Sequence, residues 1–510
     1  MLAKVKSYAL DGLVGYRIDT EVDINSGLPG YELVGLASTA TKESKERVRS
    51  AMKNSGLLYP MKRVTVNLAP ADTKKEGSGF DLPIAVGILA ASDQIVSKKY
   101  KDFVFIGELG LDGRLRHVNG IMPLLLSALQ EGETKFVIPS QNAKEASFIE
   151  GIEVYALDRL SDVVAFLSGI EYAPVPTSSF ASTCKNHGYG VDFSDVKGQS
   201  IAKRALEIAV SGGHNVLMIG PPGAGKTMLA KCVPTIMPDM TFAEAVEVTK
   251  IHSVSGILDA GVGIVTTRPF RTPHHTTTVP TLVGGGNKAT PGEVSLAHNG
   301  VLFLDEMPEY SRRALETLRQ PLEDRHVTVA RVAKSVDYPS NFMLIASMNP
   351  CPCGNYGSKT QICKCTPQQI HNYVSKLSGP LLDRIDIQLE VDSVLYEEFR
   401  GSKEKPESSA EVKARINRVR ALQAERFKND GIRINAEMEA CHLEKYCALD
   451  EAGERLLKKA FEKLNLSARG TTRILKVART IADLEGSENI NSKHIAEAIQ
   501  YRGLERKYNG

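Results

Sequence analysis

No stretch of this sequence stays apolar for the roughly 20 residues that a bilayer-spanning helix needs. The opening MLAKVKSYALDGLVGYRIDTEV carries neither a long apolar run nor a small-residue cleavage pattern. These absences exclude a helical membrane anchor and predict a cytoplasmic location with no membrane partner. An excess of charge is also missing. Lys and Arg number 63 against 60 Asp and Glu, a formal net charge of +3, so composition implies no polyanionic partner and a nucleic-acid reading must come from local clusters. No internal repeat is visible, which sets repeat architectures aside.

What is present is the composition of a soluble globular protein, 42% hydrophobic and 24% charged over 510 residues, enough for roughly two to four domains with cores of their own. Residues 1–170 mix strand-like pieces (RVTVNLA, FVFIGEL, KFVIP, EVYAL) with helical ones (ESKERVRSAMKNSG, DLPIAVGILAAS, IMPLLLSALQ), which predicts an α+β domain. Residues 171–190 are rich in Pro, Ser, Thr and Gly without periodicity and read as a linker. In 191–394 strands and helices alternate, as in an α/β core with a parallel sheet. Residues 395–510 carry helical patterns preceded by capping Ser, Asp or Asn.

The core contains IGPPGAGKTMLA, residues 219–230. Gly220, Pro221, Pro222, Gly223, Ala224, Gly225, Lys226 and Thr227, followed by Met228, match the spacing of a phosphate loop. Its glycines let backbone N–H groups curl around a phosphate at a helix N-terminus. Lys226 neutralises charge and Thr227 holds Mg²⁺, which makes ATP and Mg²⁺ the expected ligands. In GVLFLDEMPEY, Asp305 stands where it would face Mg²⁺ and Glu306 where it would polarise an attacking water, although an acidic pair after an apolar run otherwise simply ends a strand. FMLIASMNP ends in Asn349, either a contact for that water or the γ-phosphate, or a cap before Pro350. In GPLLDRIDIQLEV, Arg384 lies between Asp383 and Asp386. It reads as a surface ion pair, or as an arginine finger reaching the nucleotide of a neighbouring subunit. Arg469 and Arg473, four apart in SARGTTRILKVAR, share a helix face from which one would reach phosphates.

The order VKGQ, GPPGAGKT, LFLDE, SMNP, LLDRID and a helical lid resembles the AAA+ ATPases near magnesium-chelatase subunits and MCM helicases. RPFRTPHHTTT, GEVSLAHNGVLFLDEMPEY, NPCPCG and SGPLLDRIDI are similar to the ComM/YifB family of magnesium-chelatase-like proteins, over essentially the whole chain. That resemblance implies Val196, Gly198 and Gln199 near the adenine, Asn349 as sensor 1, Arg384 as the finger and Arg469 ahead of Arg473 as sensor 2. The first domain resembles the protease domain of Lon in NLAPADTKKEGSGFDLPIA and GELGLDGRLRHVNGI. It departs from that domain where Gly79 replaces the nucleophile, Ser78 is one position off, and NGIMPLLL lacks the basic lysine. A noncatalytic domain is expected, a collar or a DNA-binding surface.

Two decorations of the core are candidate DNA contacts. One is a long Gly- and Thr-rich loop with Arg268, Arg271, His274, His275 and Lys288. The other is a hairpin, RHVTVARVAKSVDYPSNF, with Arg331 and Lys334 near its tip. Cys351, Cys353, Cys363 and Cys365 crowd into CPCGNYGSKTQICKC and read either as a four-thiolate Zn²⁺ site or as four reduced thiols in a small knuckle. The family likeness implies a hexameric ring motor driven by ATP on single-stranded or branched DNA, promoting branch migration of recombination intermediates in natural transformation. The alternative is a chelatase-type remodeller that acts on a protein partner for Mg²⁺ insertion into a tetrapyrrole.

Overall fold

A computed structural model of the chain describes residues 2–36, 38–71, 75, 77–183, 190–286, 289–330, 335–357, 361–393, 406–464 and 466–502. They form two compact units, Met1–Asn186 with Thr241–Thr266, and His187–Met240 with Thr267–Gly510.

The first unit is built on a seven-stranded mixed sheet in the order Gly30–Val34, Arg63–Ala69, Val14–Asn25, Leu2–Asp11, Val104–Phe105, Lys135–Pro139, Glu153–Leu157. Its antiparallel centre pairs Leu2–Asp11 with Val14–Asn25 and that strand with Arg63–Ala69. The helix Asp81–Ala91 is buried along its whole length, which explains why DLPIAVGILAA is apolar all round. Gly79 O accepts from Gly107 N at 2.9 Å. The neighbouring Ser78 hydroxyl donates to the Glu108 carboxylate, and Met122 is buried. Residues 171–179 are irregular but pinned, Val175 N donating to Val154 O at 2.8 Å and Ser178 N to Ser147 O at 2.8 Å, and the expected linker continues in a short helix, Phe180–Thr183. Residues 184–189 of the expected linker, with Cys184, lie outside the described residues.

The segment Thr241–Thr266 belongs to this unit, whereas the sequence pattern ran it into a continuous core. Its helix Phe242–Val254 opens on a Thr241–Glu244 capping box and buries Ala245, Val248, Thr249, Ile251 and Ser253. Ser253 Oγ donates to Glu145 Oε1 at 2.5 Å and accepts from Gly120 N at 2.9 Å. Burial pushes the Glu145 carboxyl up to about 7.

The second unit contains a five-stranded, wholly parallel sheet in the order Phe270–Arg271, Val301–Leu304, Met343–Met348, Val216–Ile219, Ile387–Glu390. The three central strands are buried at every position, as a sheet covered on both faces requires. Helices Ser409–Arg426, Ala440–Tyr446, Glu451–Leu464, Ala468–Leu484 and Ser492–Gln500 follow. Val412, Ile416, Ile474, Val477, Ile481 and Ile495 join the sheet residues Val216, Met218 and Ile345 in one continuous hydrophobic core. Ser408, Ser467 and Asn491 cap three of these helices. The expected boundary between core and lid, at 394–395, lies outside the described residues. No helix among the described residues is long and apolar enough to cross a membrane.

Candidate nucleotide-binding site

Ligands of open parallel sheets bind beyond the carboxyl ends of the strands, where connections diverge to either side. The phosphate loop leaves the strand Val216–Ile219 at such a point. A Cβ at Gly220 would lie 2.2 Å from Val391 O, so only glycine lets the loop cross the neighbouring strand's end. Gly223 and Gly225 take φ of +78° and +85°, turning successive N–H groups toward one centre ahead of the helix Lys226–Ile236. Ala224 is buried and Met228 exposed.

Lys226 Nζ donates to Gly220 O at 2.6 Å, Pro221 O at 3.0 Å and Asn349 Oδ1 at 3.3 Å. Burial lowers its pKa, against the opposing pull of Asp305 and Glu306. Thr227 Oγ1 donates to Asp305 Oδ2 at 3.0 Å, a hydroxyl and carboxylate pair of the oxygen type that a hard divalent cation takes. The other Asp305 oxygen accepts from the Ser347 hydroxyl and, at 3.1 Å, from Glu306 N. Glu306 sits in the left-handed region, φ +50° and ψ +49°. A non-glycine residue is strained there, and the neighbouring bonds hold it. Ser347, two residues before Asn349, was not singled out from the sequence; its place on the strand beside Asp305 marks it.

Gln199, at φ +56°, donates to Ala224 O at 3.3 Å and Asp392 O at 2.5 Å, tying the loop to the end of the last strand. Val196 is buried and Gly198 takes φ +66°.

The arginines have other partners. No hydrogen bond or ion pair among the described residues joins Arg384, Arg469 or Arg473 to Lys226, Asp305 or Glu306. Arg384 is 7% exposed and does not pair with its neighbours Asp383 and Asp386. One of its nitrogens donates to Pro380 O at 2.6 Å and another to the Glu323 carboxylate. Arg384 lines a cavity of about 520 Å³ together with Arg319, Glu316, Gln320, Glu323 and Thr328. The Arg384 hydrogen bond holds the Glu323 carboxyl below its ordinary range, and the positive charges of Arg469 and Arg473 add to the effect. Asp386 is instead buried against Arg473 Nη1 at 2.7 Å and His214 Nδ1 at 3.1 Å. Burial opposes its charge, yet Arg473 and His214 keep it well below the usual carboxylate range. Arg469 is exposed.

Of the candidate DNA contacts, Arg268 gives its guanidinium to Pro238 O at 2.6 Å and Asn299 O at 2.7 Å. Arg271 makes a two-pronged pair with Glu293 at 2.7 and 2.8 Å. Both half-buried side chains are committed to partners within the fold, which occupy guanidinium donors that a DNA contact would need. His274 is exposed and stacks at 4.1 Å on His275, which is half-buried. The hairpin is present as His326–Ala330 and Ser335–Pro339, but its tip, with Arg331 and Lys334, lies outside the described residues, as does Lys288.

The ligand atoms of Cys351, Cys353, Cys363 and Cys365 all lie within 4.8 Å of one another. The first three sulfurs are 3.4, 3.7 and 3.6 Å apart, against about 3.8 Å for a tetrahedron with Zn–S of 2.3 Å and about 2.05 Å in a disulfide. Backbone N–H groups of Lys364 and Asn355 lower the Cys353 thiol to about 6.

The parallel sheet in this order, with a phosphate loop on its fourth strand and the acidic pair and the asparagine on the two preceding ones, is the architecture of a AAA+ ATPase. The comparisons agree. Residues 192–399 match the family "Magnesium chelatase, subunit ChlI", 20–142 match "Subunit ChlI of Mg-chelatase", and 406–502 match "Magnesium chelatase, subunit ChlI C-terminal". The chain is 44% identical over 509 residues to Competence protein ComM of Haemophilus influenzae, covering 99% of this chain and 98% of that protein. It is 42% identical over 505 residues to Uncharacterized protein YifB of Salmonella typhimurium, covering 99% of this chain and 98% of that one. Over 126 residues it is 29% identical to Lon protease of Rhizobium meliloti, 23% of this chain and 15% of that protein. The chain belongs to the ComM/YifB family of magnesium-chelatase-like AAA+ ATPases.

Proposed function

We propose that this protein is an ATP-driven ring motor, a homo-hexamer, that acts on single-stranded or branched DNA and promotes branch migration of recombination intermediates during natural transformation. The observation that carries the reading is the division of the catalytic groups. Lys226, Thr227, Asp305, Glu306 and Asn349 assemble at the loop, while Arg384 is held by Glu323 and Arg473 by Asp386, away from it. An arginine that completes a neighbour's site belongs on such a second surface, and a ring gives every subunit one of each.

In this mechanism the loop N–H groups and Lys226 bind the phosphates. Thr227 and Asp305 hold Mg²⁺, which neutralises phosphate charge when bound. Glu306 orients and deprotonates the attacking water, Asn349 fixes its position, and Arg384 from the adjacent subunit stabilises the charge that develops. Val196, Gly198 and Gln199 line the adenine end. Arg469 or Arg473 reads the phosphates from the lid, and the noncatalytic Lon-like domain forms a collar or DNA surface. His274, His275, Arg331 and Lys334 track the DNA backbone in the pore. Cys351, Cys353, Cys363 and Cys365 hold one structural Zn²⁺.

The DNA reading is supported by the relative named a competence protein. A chelatase-type remodeller is the second reading, favoured by the descriptions of the three matching families. ATP hydrolysis measured with and without forked DNA separates them. Stimulation and strand displacement support the motor, and an unchanged rate with no displacement overturns it.

A further inference from the structure

The knuckle that carries the thiols also presses on the phosphate loop. Cys351 follows Asn349 by two residues, and Asn349 Oδ1 is 3.3 Å from Lys226 Nζ. Gly354 N donates to Cys351 O at 2.9 Å, closing a tight turn that holds both Cys351 and Cys353. At Gly354, φ +79°, an added Cβ would lie 2.5 Å from Pro222 Cδ and 2.9 Å from Pro222 Cγ, so the turn lies flush on the middle of the loop. Tyr356 N donates to Cys351 Sγ at 3.3 Å, which fixes the far end of the same turn. The turn is therefore tied at one end to the asparagine that meets Lys226 and touches the loop at the other.

From this contact we infer that metal binding at the four cysteines and nucleotide binding at the loop are thermodynamically linked, each strengthening the other through the Gly354–Pro222 contact. The inference rests on the ATPase reading above. Two conditions are needed for linkage: each ligand must favour one arrangement of an element they share, and that element must have more than one arrangement. The first is met on the metal side because tetrahedral ligation by two cysteines of one turn, Cys351 and Cys353, fixes the turn that Gly354 presents. The second is met on the nucleotide side. Lys226 Nζ now occupies Gly220 O and Pro221 O, and it must leave them to reach a phosphate. Pro221 is bonded directly to Pro222, so the loop shifts its contacts right beside the point where the turn bears on it. A turn held by metal presents a fixed wall for the nucleotide-bound loop. A turn without metal must be ordered when nucleotide binds, and that ordering weakens the affinity.

The test uses the full-length protein loaded with zinc and the same protein stripped by a chelator under reducing conditions, with Mg²⁺ restored. A fluorescent ADP analogue is titrated into both. The inference predicts about tenfold weaker binding to the stripped protein, within the 5–150-fold range usual for coupled sites, recovered on adding zinc back. Reciprocity demands that saturating ADP tighten zinc binding by the same factor, read by competition with a chromogenic chelator on loaded protein. That second readout stands even where the stripped protein loses structure. Pro222→Ala should keep one zinc per chain while the effect of ADP on zinc affinity falls to less than twofold. Loaded protein whose zinc affinity ignores ADP, or loaded and stripped protein that bind ADP equally, would overturn the linkage alone. Loaded protein that binds no adenine nucleotide overturns the ATPase reading and the linkage with it.

Discussion

At the phosphate loop Lys226 turns its ammonium onto two carbonyls of its own loop, while at Arg384 the guanidinium is held by a carboxylate from a helix 61 residues earlier. The two regions keep their cations ready in different ways. Carbonyl oxygens are neutral acceptors that a phosphate replaces without leaving a buried charge behind. Glu323 is an anion, and pulling Arg384 away from it exchanges one charged partner for another. The loop is therefore built to receive a ligand from solution. In the proposed ring Arg384 would be exchanged onto a phosphate that another subunit presents, and this asymmetry would be the physical content of a shared site.

The comparison breaks most visibly if the arginine region is dispensable. Arg384→Ala is expected to lower kcat on the order of 10³–10⁵-fold, the range of arginine fingers, while the affinity for a fluorescent ATP analogue stays within twofold. Lys226→Ala should lose the affinity itself. Glu306→Gln should retain ATP and slow its cleavage by about 10²–10⁴-fold, as removal of a general base does; trapped nucleotide counted after gel filtration reads it. An equal loss of binding in Arg384→Ala and Lys226→Ala would mean that the two regions are one.

Asp386 sharpens the contrast through stability. Its pKa is depressed in the folded state from the ordinary 3.8, so its contribution is present above about pH 4 and is lost as pH falls below that value. Asp386→Asn leaves Arg473 and His214 without their buried partner and should cost about 3–5 kcal/mol at pH 7. The difference in denaturant midpoint from the unaltered chain should narrow as pH drops below about 4. The smallest effect belongs to Glu323, whose side chain is 55% exposed. Glu323→Gln should raise ATP turnover by about two- to fivefold at low protein concentration, the equivalent of an exposed ion pair, and leave it unchanged where the ring is saturated. Lower turnover at every concentration would show that Glu323 supports catalysis rather than holding the arginine back.

The sequence disclosed the loop half far better than the arginine half, for a physical reason. GPPGAGKT, LFLDE and SMNP are contiguous words at strand ends, where backbone geometry makes spacing and function coincide. The helices 409–426, 468–484 and 492–500 were equally legible, because a capping residue precedes a 3.6-residue apolar period. Glu323 as the partner of Arg384, and Asp386 as the partner of Arg473, 87 residues away, depend on tertiary packing that no local pattern records. Local charge even misled, since Arg384 flanked by two aspartates pairs with neither. The return of Thr241–Thr266 to the first unit was hidden for the same reason: an amphipathic helix declares a buried face but not what buries it. The strands Leu2–Asp11 and Val14–Asn25 had an alternating signal, buried at every second residue through much of their length, that went unread.

The most direct test is to mix two silent variants. Lys226→Ala keeps a working arginine surface and Arg384→Ala keeps a working loop, so neither hydrolyses ATP alone. Random assembly of equal amounts should rebuild roughly one interface in four. Recovery of about a quarter of the unaltered rate on mixing is the predicted result. Arg384→Ala cleaving ATP at the unaltered rate by itself, with no gain on mixing, would contradict the shared site.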